Sequence, residues 1–121
     1  MLPRPAARAI GAFLDEIVEV SLSDPARRGC LLVNTALDGA QLPAEARALV
    51  RECLGEIEAF FRGKLGDGQA DGTIPVAIEP ADMAESLLGT VLAIRVLARL
   101  DPEPGRLHRL VRTALAPLAI P

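Results

Sequence analysis

The sequence predicts an all-α domain built from five helices. Apolar residues recur at helical spacing through five separate segments. Proline and glycine, ten of each, gather mainly between those segments, where they act as punctuation. The residues that sandwich and barrel folds lean on are scarce, with three Phe, no Trp and no Tyr.

The first helix is expected from about Ala6 to Leu22. Ile10, Phe13, Leu14, Ile17 and Val20 or Ser21 form its apolar stripe, opposite Asp15, Glu16 and Glu19. Ser23-Asp24-Pro25 breaks it, with Asp24 a good N-cap and Pro25 suited to a first helical position. After a short turn over Ala26 to Arg28, the second helix runs from near Cys30 to Gly39. It is apolar almost all round, through Cys30, Leu31, Leu32, Val33, Ala36 and Leu37, as a helix covered on more than one side would be. Gly39 reads as its stop.

The third helix starts at Pro43, with Glu45 in its first turn where the helix dipole favours a negative charge. Leu49, Val50, Cys53, Leu54, Ile57, Phe60 and Phe61 give it a wide apolar stripe, and Arg47, Arg51, Glu52, Glu58 and Arg62 face out. It is expected to end near Leu65, in Gly66-Asp67-Gly68. The connection from Gly66 to Glu79 reads as an extended loop, because Thr73 to Ile78 has no partner strand to pair with. The fourth helix runs from Pro80 to about Leu100 with Asp82 in its first turn, and only Glu85, Arg95 and Arg99 interrupt its apolar surface. Asp101-Pro102-Glu103-Pro104-Gly105 stops it. The fifth helix, Gly105 to about Leu118, carries Leu107, Leu110, Val111, Ala114, Leu115 and Leu118 on one stripe, with Arg106, Arg109 and Arg112 outside it.

Composition excludes several classes. The chain of 121 residues has the length of one domain. A net charge of −3 offers no global positive field to nucleic acid. Two Cys build no disulfide framework, and two Cys with one His do not fill a four-ligand zinc site, so neither a metal nor another cofactor is expected. No apolar run reaches the ~18 residues of a membrane span. Met1-Leu2-Pro3-Arg4-Pro5 leads into an acidic amphipathic segment and not into a signal-peptide pattern, so a cytoplasmic, reducing setting is the expectation.

The fourth helix has more apolar faces than one small core needs, and the fifth adds a full stripe close by. Surplus apolar surface marks an association site. A two-fold dimer that pairs these two helices with their copies in a four-helix bundle would cover it. The candidate interface is Leu88, Leu92, Arg95, Arg99, Leu107, Leu110, Val111, Ala114 and Leu118.

Two stretches carry a resemblance. Arg28-Gly29-Cys30-Leu31-Leu32-Val33-Asn34 opens a helix with a Gly-Cys step followed by apolar residues and a small polar one. From Gly72 to Leu100, a loop with Gly and Pro runs into Pro80-Ala81-Asp82-Met83-Ala84 and a Leu-rich helix with Gly89 and Arg95. In these stretches and in its helix order the chain resembles the C-terminal domain of tetracycline-repressor-type (TetR-family) transcriptional regulators. The resemblance implies a domain that binds a small effector and dimerises mostly through its last two long helices; the sequence offers no convergent acid–base or metal constellation, so no enzyme is expected. The family's N-terminal helix-turn-helix module has no counterpart in the roughly five residues before the first helix. The chain is therefore expected to reach DNA only through a module it lacks. An excised effector domain and a gene product without its DNA-reading head both fit.

Ligand pockets are mostly apolar with a few orienting polar groups. Asn34 and Thr35 are the uncharged polar residues of the second helix. Either they point into a cavity among helices one to four, or Asn34 faces solvent and Thr35 bonds back to its own helix. Phe13, Ile17, Leu54, Ile57, Phe60 and Phe61 would line that cavity or serve as ordinary core. Gly55 and Gly89 sit within helices, where Gly costs ~1 kcal/mol relative to Ala, and the expected reason is a close helix crossing or room for a ligand. Cys30 and Cys53 read as inert core, with redox sensing as the alternative. His108 reads as surface or as an interface hydrogen-bond donor. The arginines of the last third, Arg95, Arg99, Arg106, Arg109 and Arg112, read as a solvated face or as salt-bridge partners of the acidic middle.

Overall fold

The computed structural model describes residues 4–23 and 31–119. The expected Asp24–Pro25 cap, the turn at 26–28 and Cys30 lie outside the described residues, as does the Arg28-Gly29-Cys30 part of the resemblance. The elements are α1 (Pro5–Leu22), α2 (Leu31–Asp38), α3 (Ala44–Ala70), α4 (Pro80–Leu100) and α5 (Pro104–Leu115). Single 3₁₀ turns follow α2 at Gly39–Gln41 and α5 at Ala116–Leu118. Among the described residues there is no strand, and the domain is all-α.

α1 and α4 lie against each other, and both pack on α3 and on α5; α2 rests only on α3 and α4 among the more extensive contacts. α1 buries Ala6, Ile10, Leu14, Val18 and Ser21, one position per helical turn. Ser21, not Val20, closes the stripe, and Val20 is largely exposed. The Ser21 hydroxyl is satisfied there. It donates to the Ile17 carbonyl at 2.6 Å and accepts from Arg95 Nη1 at 3.0 Å, which ties α1 to α4. α4 presents Ala84, Leu87, Val91, Ile94 and Ala98 to the core, and α5 adds Leu107 and Val111. Each large side chain so buried contributes roughly 1.5–3 kcal/mol. The Arg4 guanidinium donates to the Leu118 carbonyl and closes the two ends of the described chain on each other.

Two helices start with the same device. Pro80 and Pro104 take the first positions of α4 and α5, and the glutamate before each turns its side chain onto the open backbone N–H groups. Glu79 accepts from Ala81 N–H at 3.2 Å, and Glu103 accepts from Gly105 N–H at 2.9 Å and Arg106 N–H at 2.8 Å.

α3 corrects the sequence reading. It runs through Gly66-Asp67-Gly68 and ends at Ala70, five residues beyond the expected Leu65. The chain turns at Asp71-Gly72 instead, where Gly72 has φ +79°, a backbone conformation that favours glycine. Gly68 is there for a close approach: a Cβ on it would lie 2.2 Å from Ile74 Cγ1 and 2.9 Å from Ala6 Cβ. Ile74 drops into this notch and is buried, with its N–H and that of Thr73 donating to the Gly68 carbonyl at 3.0 and 2.8 Å. Gln69 then pins the connection, its Nε2 donating to the carbonyls of Pro75 at 3.0 Å and Ile78 at 2.7 Å. Thr73 to Ile78 is a loop and not a strand, as expected, but it is bent and not extended: Val76 and Ala77 form a turn in which Ile78 N–H donates to the Pro75 carbonyl at 3.2 Å. Gly39, with φ +48°, ends α2 as expected.

Candidate functional site

All three aromatic residues of the chain meet where α1 crosses α3. The Phe13 ring centroid lies 5.0 Å from that of Phe60 and 5.4 Å from that of Phe61, nearly edge-on to the latter, and Phe60 and Phe61 are 5.6 Å apart. Phe61 is fully buried, and Ile17, Ile57, Phe13 and Phe60 pack on the core beside it. Stacked this way the rings are core, and such contacts add about 0.5–1.5 kcal/mol per pair to their burial.

The residues expected to form one cavity wall therefore divide among the described residues. Phe13, Ile17, Ile57, Phe60 and Phe61 belong to the aromatic core. Asn34 and Leu54 lie away from it, on opposite sides of α2. On one side, a groove of about 350 Å³ between α2 and α4 is lined by Asn34, Leu37, Val96, Arg99 and Leu100. Here Asn34 Oδ1 accepts from Arg99 Nη1 at 2.6 Å, so the amide faces α4. On the other side, a groove of about 400 Å³ between α2 and α3 is lined by Ala36, Gly39, Ala40, Leu42, Arg47, Val50, Arg51 and Leu54. Thr35 is half-buried on α2 between them. A third groove, about 430 Å³, runs along the Ala7–Gly11 face of α1 to Leu115 and Leu118, with Arg4, Arg8 and Asp15 on it. Periodicity placed Arg47 and Arg51 on an outward face, where Arg51 is exposed and Arg47 half-buried; it did not show that both border the groove beside α2.

The candidate dimer residues separate as well. Leu107, Val111 and Leu118 are buried in the chain's own core. This corrects their assignment to an interface, because a side chain with no exposed surface has none to give to a second copy. Leu110 and Ala114 are half-buried against the same core. Arg95 reaches α1 through Ser21, and Arg99 reaches α2 through Asn34. Leu88 and Leu92 are half-buried without packing on the core. With Val96 and Leu100 they form one row of i, i+4 positions along α4, none of them among the residues packed on the core, and Leu100 is 78% exposed. The outward face of α5 is polar, with His108, Arg109 and Arg112 exposed.

Gly55 and Gly89 are exposed, and a Cβ on either would meet nothing within 4 Å. Among the described residues, neither glycine sits at the expected close helix crossing. Cys53 is a half-buried free thiol on α3. His108 Nδ1 lies 3.9 Å from Asp15 Oδ1. Arg106 pairs with Asp101 at 3.3 Å and Arg109 with Glu103 at 3.5 Å, so these two arginines serve the start of their own helix and not the acidic middle of the chain. Among the described residues, no three His, Cys, Asp or Glu side chains come together as metal ligands, and no helix is long and apolar enough to cross a membrane.

The architecture is thus an all-α domain with grooves on both sides of its second helix and an apolar row along its fourth. The family described as Tetracyclin repressor-like, C-terminal domain matches residues 6–114, and the chain belongs to it. Neither a curated protein nor a solved structure gives a match.

Proposed function

We propose that this domain is the effector-binding and dimerisation part of a TetR-like transcriptional regulator, acting in the cytoplasm as a homodimer. The observation that carries the effector half is the setting of α2. It rests on α3 and α4 alone among the more extensive contacts, and the grooves beside it, about 350 and 400 Å³, have the size small-molecule sites occupy. Of the expected ligand-binding residues, Asn34 and Leu54 line these grooves, and Thr35 belongs to the same helix. A mainly apolar small molecule seated beside α2 would bias how α2 rests on α4. Such a ligand regulates only if it binds the two settings of α2 with different affinity. The dimer half is supported by the Leu88–Leu92–Val96–Leu100 row, which a second copy would cover. Operator DNA is read, in this proposal, by a helix-turn-helix module separate from these residues.

The filled Phe13–Phe60–Phe61 cluster favours a second reading, a structural dimerisation module that acts through mixed dimers with a full-length regulator. Native mass spectrometry of the purified chain tests both. A two-chain mass supports dimerisation, and an additional small mass on it supports the effector reading. A monomer at micromolar concentration overturns the dimer in either form.

A further inference from the structure

We infer that the groove between α2 and α3 is a site for an amphipathic carboxylate, its apolar chain lying beneath α2 and its head on Arg47 and Arg51. The inference rests on the effector-binding reading and gives its ligand a chemical class. The groove holds about 400 Å³ and its walls are apolar apart from the two guanidinium groups, with Ala40, Leu42, Val50 and Leu54 between them. Arg47 and Arg51 are one helical turn apart and share a face, where like charges oppose each other by a few tenths of a kcal/mol in an isolated helix.

A carboxylate one turn away would relieve that opposition, and α3 supplies none. The positions three and four residues from Arg47 are Pro43, Ala44, Val50 and Arg51; those from Arg51 are Arg47, Ala48, Leu54 and Gly55. This occurs in an acidic chain, with 16 Asp and Glu against 13 Lys and Arg. Among the described residues neither arginine makes an ion pair, although Arg106 and Arg109 on α5 each find a carboxylate. Asp38, Glu45 and Glu52, the acids nearest in sequence, make none with them. Two guanidinium groups bordering an apolar groove suit a carboxylate in charge; Arg51 is exposed, and Arg47 is half-buried, where a charge-assisted bond is stronger than at the open surface.

The test is isothermal titration of the whole chain with octanoate and with 1-octanol, which share a chain and differ in charge. Octanoate is expected to bind at least tenfold more tightly. The double variant Arg47→Gln, Arg51→Gln is expected to lower octanoate to the level of octanol and leave octanol unchanged. Equal binding of the two probes overturns the carboxylate class while leaving an effector site beside α2 standing. Octanoate binding that survives in the double variant overturns the location. Binding of neither probe overturns the inference, and the co-purified mass then decides the effector reading separately. Should the variant fail to fold by circular dichroism, the wild-type arginine side-chain N–H signals provide the check: octanoate must move those of Arg47 and Arg51, and movement confined to other arginines refutes the site.

Discussion

Gly68→Ala is expected to weaken this fold even though it improves the helix that carries it. Alanine in place of a helical glycine stabilises by ~1 kcal/mol on propensity alone. At this position the added methyl would lie 2.2 Å from Ile74 Cγ1, 3.0 Å from Ile74 Cβ and 2.9 Å from Ala6 Cβ. Ala6 has no rotamer with which to yield. Ile74 is 1% exposed and held by its backbone bond to the Gly68 carbonyl, so its side chain has no free volume to enter. Two routes remain. Overpacking of this kind costs typically 1–3 kcal/mol, and expelling Ile74 from its notch forfeits about 1.5–3 kcal/mol of burial. Set against the propensity gain of ~1 kcal/mol, these costs leave a net loss of up to about 2 kcal/mol. Urea unfolding followed by far-ultraviolet circular dichroism, at one fixed protein concentration because the proposed dimerisation would make stability depend on it, measures the change. Gly66→Ala is the internal control. It lies in the same helix two residues away, exposed, with nothing within 4 Å of the added carbon, and is expected to raise stability by up to ~1 kcal/mol. A Gly68→Ala protein with a midpoint equal to or above that of the wild type would refute the reasoning that Gly68 exists for the approach of Ile74.

Glu103→Ala removes the acceptor of two N–H groups at the start of α5 and is expected to cost about 0.5–2 kcal/mol, read in the same unfolding assay; an unchanged midpoint would show that water satisfies those groups equally well. Leu92→Glu places a charge in the apolar row of α4 and is expected to weaken the proposed self-association by about tenfold or more in analytical ultracentrifugation. Leu110→Glu is expected to do the reverse in emphasis, lowering stability because Leu110 packs on the chain's own core. If Leu92→Glu sediments as the wild type does, the α4 row is not the interface.

Much of the fold was legible before any coordinates. The period of apolar residues located all five helices, and proline at the first position of α4 and of α5 marked their starts to within a residue. Gly39 is a stop that the sequence alone identified, and a positive φ suits glycine there. The candidate site was legible only in pieces. The sequence identified Asn34 and Leu54 as residues of interest, and they do line grooves, but on opposite sides of α2. It read Arg47 and Arg51 as outward charges, which their exposure bears out, but nothing local announces that they border the groove beside α2.

What the sequence determined by itself was the class of fold, the order and extent of most helices, and which stripe of each is apolar. What tertiary structure decided was the partner of each stripe. Gly66-Asp67-Gly68 has the composition of a helix stop, yet α3 continues through it, because the notch at Gly68 receives Ile74 and Ala6 and that packing outweighs the local preference. Leu107, Val111 and Leu118 have the pattern of an interface, yet they complete the chain's own core. Phe13, Phe60 and Phe61, far apart along the chain or adjacent on it, fill the space beside α1 against one another. Helical periodicity reports that a face leaves water. It carries no information about what that face meets, because burial against the same chain, a ligand or a second copy removes the same apolar area from solvent.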